Sequence, residues 1–236
     1  MKFKDVTNYS TTQSAEFDAG LRSYMLKVYN LMGLALLLTG GVAFLASQST
    51  AYVNTVYGSP LQWVIMFAPL GIVFFLSARL HKLSTQAAQL WFWAFATVMG
   101  LSLSYIFLAY TGTSIARGFF ITAATFGSMS LYGYTTKKDL SAWGKFLFMG
   151  VIGIIIAAVV NIFMQSSALQ FAISVVTVLV FSGLTAYDTQ KIKQEYYRYA
   201  GNLEIASKMA IMGALSLYID FINIFVSMMH LFGEER

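Results

Sequence analysis

Residues 146–187, FLFMGVIGIIIAAVVNIFMQSSALQFAISVVTVLVFSGLTAY, contain no charged side chain. A helix rises about 1.5 Å per residue and the hydrocarbon core of a bilayer is about 30 Å thick, so a single helix of this length would be roughly twice as long as the bilayer requires. We therefore expect a turn within the stretch, at the polar residues Gln165, Ser166 and Ser167. The stretch predicts two successive membrane helices.

The rest of the chain has the same character. Of its 236 residues, 58% are hydrophobic and 11% are charged, which excludes an ordinary soluble domain. The predicted fold class is an all-α integral membrane protein with seven transmembrane helices. The predicted spans are Val28–Ala46, Leu61–Ala78, Ala87–Tyr110, Gly118–Thr136, Phe146–Met164, Ala168–Tyr187 and Met209–Phe232.

The basic residues predict the orientation of these helices. With the N-terminus in the cytosol, 13 of the 15 Lys and Arg residues fall on the cytosolic side and only Arg117 and Arg236 fall outside, as the positive-inside rule requires. The net charge of +5 therefore indicates topology and not a nucleic-acid partner. Residues 1–22 are predicted to be a flexible cytosolic tail, residues 23–236 a single seven-helix domain, and the C-terminus to lie outside.

Two carboxylates interrupt the apolar pattern of the last two spans. Asp188 closes the sixth span and Asp220 lies near the middle of the seventh. A charged group at the centre of a membrane helix costs about 2.5 to 3.5 kcal/mol on insertion scales, so each such residue is a functional hypothesis by default. Two carboxylates close together cannot both be ionised at low cost, and such a pair would share a proton and act as a pH-sensitive latch.

Polar residues at helical spacing accompany both aspartates, which predicts a hydrated seam between the two helices. The alternative is that these side chains only form hydrogen bonds within a packed bundle. Arg79, at the cytosolic end of the second span, is a possible countercharge, and its alternative role is that of an interfacial positive-inside residue. The candidates for the polar lining of a pore are Ser174, Thr177, Thr185, Ser216, Asn223 and Ser227.

Three segments resemble the Bax inhibitor family in its bacterial form. They are YGYTTKKDLS (132–141), GLTAYDTQKIK (183–193) and ALSLYIDFINIF (214–225). The resemblance implies a seven-helix fold whose last helix is enclosed by the other six, and a pH-sensitive calcium leak in a bacterial inner membrane. It also implies that Asp188 and Asp220 form the proton-sensing pair and that an arginine of the second helix, matched here less specifically by Arg79, locks the pair closed.

The resemblance further implies which ligands and partners to expect. These are membrane lipid, protons and calcium as the transported ion, with Asp188 and Asp220 as its transient ligands, because calcium prefers six to eight oxygen atoms and the seam offers few. We expect no cofactor and no enzymatic activity. The absence of cysteine excludes disulfides and thiolate metal sites.

Three other functions are kept beside the leak. A proton/calcium exchanger would use the same aspartates, and a modulator of membrane-protein partners would leave no clear sequence signature. An intramembrane aspartyl protease also uses paired aspartates on consecutive helices. It requires a Gly-x-Gly-Asp motif and a Pro-Ala-Leu segment, whereas residues 217–220 read LYID and the only prolines are Pro60 and Pro69.

Overall fold

A computed structural model of the chain describes residues 3–236, with side chains from residue 19 onward. Apart from one isolated bridge between Tyr110 and Glu235, the regular structure of these residues is helical. A single 3-10 turn, Leu80–Lys82, follows the third helix. The α-helices are α1 Phe3–Gln48, α2 Thr50–Tyr57, α3 Leu61–Arg79, α4 Thr85–Ala109, α5 Gly112–Thr135, α6 Ser141–Met164, α7 Ser167–Tyr199 and α8 Leu203–Phe232.

The turn predicted within the uncharged stretch is confirmed. Helix α6 ends at Met164, and Gln165 adopts a left-handed conformation with φ 48°. Ser166 then caps α7, since its hydroxyl accepts a hydrogen bond from the backbone N–H of Leu169 at 3.3 Å. The side chain of Asn161 accepts a hydrogen bond from the Ser166 backbone N–H at 3.0 Å. The two helices therefore form an antiparallel hairpin.

Six helical segments within the described residues are long and apolar enough to cross a membrane: Ala19–Gln48, Leu61–Lys82, Thr85–Ala109, Ser141–Met164, Ser167–Tyr199 and Leu203–Phe232. The predicted seventh span, Gly118–Thr136, falls in α5. This helix has 24 residues and could span a bilayer by length, but its many Gly, Ser and Thr residues make it too polar to be identified by composition. The count of seven stays a prediction.

Helix α8 forms the centre of the bundle. Of its most hydrophobic stretch 61% is buried, against 11% for α3 and 6% for α6. It packs directly against α1, α4, α5 and α7, whereas α3 packs mainly on α4 and α6 mainly on α7. Helix α8 thus has four close neighbours, while α3 and α6 lie further out, and its enclosure by all six other spans stays a prediction.

One end of the bundle carries most of the lysines, and we call it the basic end. Two hydrogen bonds tie its segments together: Lys27 Nζ to Ser207 Oγ at 3.2 Å, and Gln190 Nε2 to the Lys138 carbonyl at 2.7 Å. The predicted tail, residues 1–22, lies mostly outside the residues with described side chains. Helix α1 runs from Phe3 without a break at residue 22, and the cytosolic location of the tail stays a prediction.

Candidate functional site

Asp188 and Asp220 line the same cavity. It has a volume of about 820 Å³ and lies between α6, α7 and α8 near the basic end. Asp220 is only 3% exposed and Asp188 is partly buried. The structure thus brings together the two carboxylates that the sequence analysis singled out, on antiparallel neighbouring helices.

Small residues allow the helices around this cavity to approach closely. A Cβ atom at Gly213 of α8 would lie 2.9 Å from Ile192 of α7, closer than real packing allows. On the other side of α7, the ring of Tyr187 lies flat against Gly144 of α6. Larger residues at either glycine would push the helices apart and displace the walls of the cavity.

The carboxyl group of Asp220 has few polar neighbours. Its Oδ2 atom is buried and has no hydrogen-bond partner among the described residues. The Thr185 hydroxyl lies against the same carboxyl group, but it donates its only proton to the Phe181 carbonyl at 2.8 Å.

Two lysines share the cavity with the aspartates. Lys145 of α6 and Lys191 of α7 both line it, and Lys191 interacts electrostatically with Asp188. Neither lysine forms an ion pair in residues 19–236. Both lysines were predicted only to mark the cytosolic side, and their position in the cavity was not predicted. The spacing of three residues between Asp188 and Lys191, which places them on one helix face, was the available signal.

The polar candidates separate into two groups. Ser216 lines the cavity and Thr185 contacts Asp220. The other four do not line the cavity. Ser174, Thr177 and Asn223 each donate to the carbonyl four residues earlier in their own helix, at 2.9, 2.7 and 2.8 Å, and Ser227 is buried.

A cluster of apolar side chains occupies the contact between α7 and α8 on the far side of the aspartates. We call this cluster the plug. It is covered by three side chains of α6, those of Leu147, Val151 and Ile154. A seam hydrated along its whole length is therefore not what the structure contains, since the plug separates the cavity from the opposite end of the bundle. The plug consists of Val180, Phe181, Leu184, Ile224 and Met228.

The end of the seam opposite the cavity is closed by hydrogen bonds between three helices. Asn161 of α6 donates to the Gln170 side-chain carbonyl at 3.2 Å, and the Gln170 amide nitrogen lies 3.2 Å from His230 Nδ1 of α8. His230 is exposed there. We call Asn161, Gln170 and His230 the polar clamp. The contact between α7 and α8 thus has a polar cavity at one end, the plug in the middle and the polar clamp at the other end.

Arg79 lies apart from the two aspartates. It ends α3, is exposed, and belongs to a helix that packs mainly on α4. Among residues 19–236 it forms no ion pair with Asp188 or Asp220. A role as a latch would require α3 or α7 to move, and it stays a prediction.

The oxygen ligands available for a cation are few. Residues 19–236 contain no group of three or more His, Asp or Glu side chains suited to hold a metal ion. The cavity supplies two carboxylates and the Ser216 hydroxyl, together with two lysines that repel cations. Because calcium prefers six to eight oxygen atoms, this donor set fits transient passage of a hydrated ion better than storage.

Comparison with known proteins gives consistent matches over nearly the whole chain. The sequence model of a family described as inhibitor of apoptosis-promoting Bax1 matches residues 21–236. An uncharacterised protein of Rickettsia prowazekii is 50% identical over 96% of both chains. The inner membrane protein YbhL of Escherichia coli is 45% identical over 92% of this chain and 94% of its own. A membrane protein of Streptococcus pyogenes is 35% identical over 92% of this chain and 95% of its own.

Proposed function

The chain belongs to the Bax inhibitor family, and from this premise we propose that it is a calcium leak channel gated by protonation of Asp188 and Asp220. It is a multi-pass membrane protein of the bacterial inner membrane, and the part of the chain that the structure describes has six helices long and apolar enough to cross the bilayer. The observation that carries the proposal is the shared cavity of the two carboxylates, one of them 3% exposed, at the end of an apolar plug.

We count α5 as the seventh span. Only Tyr110 and Thr111 separate it from α4, and five residues separate it from α6, and in this proposal it connects the end of one membrane helix to the start of another on the opposite side. Its 24 residues give a length of about 36 Å, which is enough for a bilayer. Three of its hydroxyl groups, those of Ser114, Thr122 and Ser130, are buried in the bundle and thus shielded from lipid. The basic end then faces the cytosol and the C-terminus lies outside.

Gating follows from the position of the carboxyl groups beside the plug. Phe181 and Leu184 belong to the plug and also line the cavity, so a movement of α7 against α8 alters both. When both carboxyl groups are ionised, they repel each other in a poorly solvated site and favour separation of the helices. A shared proton removes this repulsion and favours the packed arrangement. Protonation therefore biases a two-state packing equilibrium at the inner end of the plug.

Calcium would pass this site and not remain in it. The two carboxylates attract the ion, while Lys145 and Lys191 lower the affinity and allow it to leave. Selective conduction requires binding that is weak enough for release. Arg79 is retained in the proposal as a latch that acts only in a conformation where it reaches the pair.

Calcium flux through purified protein in liposomes tests the proposal, using a calcium-sensitive dye between about pH 6 and about pH 8. Asn has the shape of Asp and cannot ionise, so Asp220→Asn and Asp188→Asn are expected to hold the flux near the low-pH level of the unmodified protein at every pH. Arg79→Ala is expected to raise the flux only at those pH values at which Arg79 contacts the aspartate pair and holds it closed. Wild-type pH dependence in both aspartate variants would contradict the gating role of the pair.

Glu204→Gln is the matched control. Glu204 is exposed at the start of α8, lies outside the aspartate cavity and forms an ion pair with Lys208 at 2.7 Å. It therefore stays ionised throughout the tested range and cannot report on pH. Its substitution should leave the pH profile unchanged, which separates the effect of the buried pair from a general loss of negative charge.

The alternatives give different results in the same liposomes. A proton/calcium exchanger would move protons against calcium in a fixed ratio, so an imposed proton gradient would drive calcium uphill, whereas a leak only dissipates its gradient. A modulator of membrane-protein partners would show no flux and would co-purify with a partner from native membrane. The proteolytic reading has the least support, because the motifs of that class are absent from the sequence and the names of the relatives above contain no enzymatic activity.

A further inference from the structure

A second cavity opens on the outer surface of the bundle at the basic end. It lies between α5 and α6, which both pack on α7, and has a volume of about 470 Å³. We call it the α5/α6 groove. Its deeper part is apolar, with Met129, Leu147 and Leu179 on its walls and Gly183 of α7 at its base. Its mouth carries Lys138, Asp139, Tyr132 and Trp143.

The mouth of the groove is preformed by the side chain of Gln190. The amide nitrogen of Gln190 donates to the Lys138 carbonyl at 2.7 Å, and its carbonyl oxygen accepts from the Leu140 backbone N–H at 2.9 Å. Asp139 is turned to the start of α6, where its carboxylate accepts from the Ser141 N–H at 2.9 Å. The loop between α5 and α6 is thus fixed on α7, and the exposed Lys138 ammonium group forms no ion pair in residues 19–236.

We infer that the α5/α6 groove binds an anionic phospholipid of the cytosolic leaflet, with its phosphate group at Lys138 and one acyl chain over Leu179 and Gly183. The Lys138 ammonium group complements a phosphate group, whereas the Asp139 carboxylate at the same mouth is engaged by the Ser141 backbone N–H. Trp143 and Tyr132 are 63% and 47% exposed, and such rings prefer the level of the headgroups. The apolar base suits a hydrocarbon chain and would suit no soluble anion. The choice of leaflet rests on the orientation proposed above.

The bound lipid would contact the wall of the aspartate cavity. Tyr187 lines both the α5/α6 groove and that cavity, and its ring lies against Gly144 of α6. A lipid chain in the groove would press on the face of this wall opposite Asp188. Helix α6 otherwise packs mainly on α7. A lipid in the groove therefore supports α6 and stabilises the packed state of the aspartate cavity.

Retention of lipid by the full chain, measured by native mass spectrometry from detergent, tests the inference without any measurement of flux. Phosphatidylglycerol is expected to be retained in preference to phosphatidylcholine. Lys138→Gln should weaken retention of phosphatidylglycerol about fivefold, as the loss of one basic contact with an anionic headgroup predicts. Lys82→Gln is the matched control, because Lys82 is also an exposed basic-end lysine but lies outside the groove.

A second variant blocks the groove without a change of charge. Leu179 is 67% exposed, so Leu179→Trp should fill the groove, leave the fold intact and lower retention, while Leu70→Trp on the exposed face of α3 should not. Equal retention of the two lipids, or equal effects of Lys138→Gln and Lys82→Gln, would overturn the inference. So would stabilisation of the protein by soluble glycerol phosphate to the same extent as by the lipid. A failure of the proposed leak would leave each of these results unaffected.

Discussion

The two halves of the contact between α7 and α8 have similar polar sequences and different structures. Near the basic end, Asp188, Asp220 and Ser216 line a cavity. Toward the other end, Ser174, Thr177 and Asn223 bond to carbonyl groups of their own helices, and apolar side chains fill the contact. Polar residues at helical spacing therefore do not by themselves indicate water between helices.

The difference has a chemical cause. A hydroxyl or amide group can satisfy its donor on the carbonyl of the preceding turn and then pack as an almost apolar side chain. An ionised carboxylate has no donor, so it cannot be satisfied by its own helix carbonyls and needs water, a cation or a proton. The carboxylates thus account for the cavity in one half, and the hydroxyls allow a plug in the other.

The largest expected effect comes from opening the plug. Phe181→Ala removes a ring that belongs to both the plug and the cavity wall, and should extend the cavity toward the polar clamp. We expect calcium flux in liposomes to rise severalfold at every pH. The same substitution should lower stability by about 3 to 5 kcal/mol, as for other buried phenylalanines, so the flux is compared at equal amounts of folded protein.

Phe163→Ala is the control for this prediction. Phe163 lies on α6 with 83% of its surface exposed, on the face that would contact lipid. The Phe163→Ala substitution removes the same kind of side chain without changing the plug, and it should leave flux and stability close to those of the unmodified protein. If folded Phe181→Ala protein leaks no faster than the Phe163→Ala control, the plug does not block the path of the ion.

A smaller effect is expected from the support behind the cavity half. A Cβ atom at Gly133 of α5 would collide with the backbone of Ala186, two residues before Asp188. Gly133→Ala should force α5 away from α7 and cost about 1 to 3 kcal/mol, measured as a lower midpoint of thermal unfolding in detergent. Gly127→Ala on the same helix meets no atom within 4 Å and should not lower the midpoint. Equal unfolding midpoints for the Gly133→Ala and Gly127→Ala variants would show that α5 does not pack closely on this part of α7.

The sequence was sufficient to predict the features that depend on pattern and local chemistry. The uncharged stretch and the turn at Gln165 followed from helix length, and the pairing of Asp188 with Asp220 followed from spacing and the cost of charge in a membrane. The peripheral positions of α3 and α6 could not be predicted, because an apolar helix surface fits lipid as well as protein. Lys191 is a different case: its spacing of three residues from Asp188 placed both side chains on one helix face, but its charge was already explained by the positive-inside rule.

The smallest effect is expected where a polar residue of the plug half is made apolar. Thr177→Val keeps the shape of the side chain and removes only a hydroxyl that donates to the Ile173 carbonyl, which still accepts a hydrogen bond from the helix backbone. We expect a change in stability below about 1 kcal/mol and an unchanged pH dependence of calcium flux. Thr185→Val removes a hydroxyl against Asp220 and should shift that pH dependence. Equal shifts in the two variants would mean that water or protons reach the plug half as well, and the distinction between the two halves would then fail.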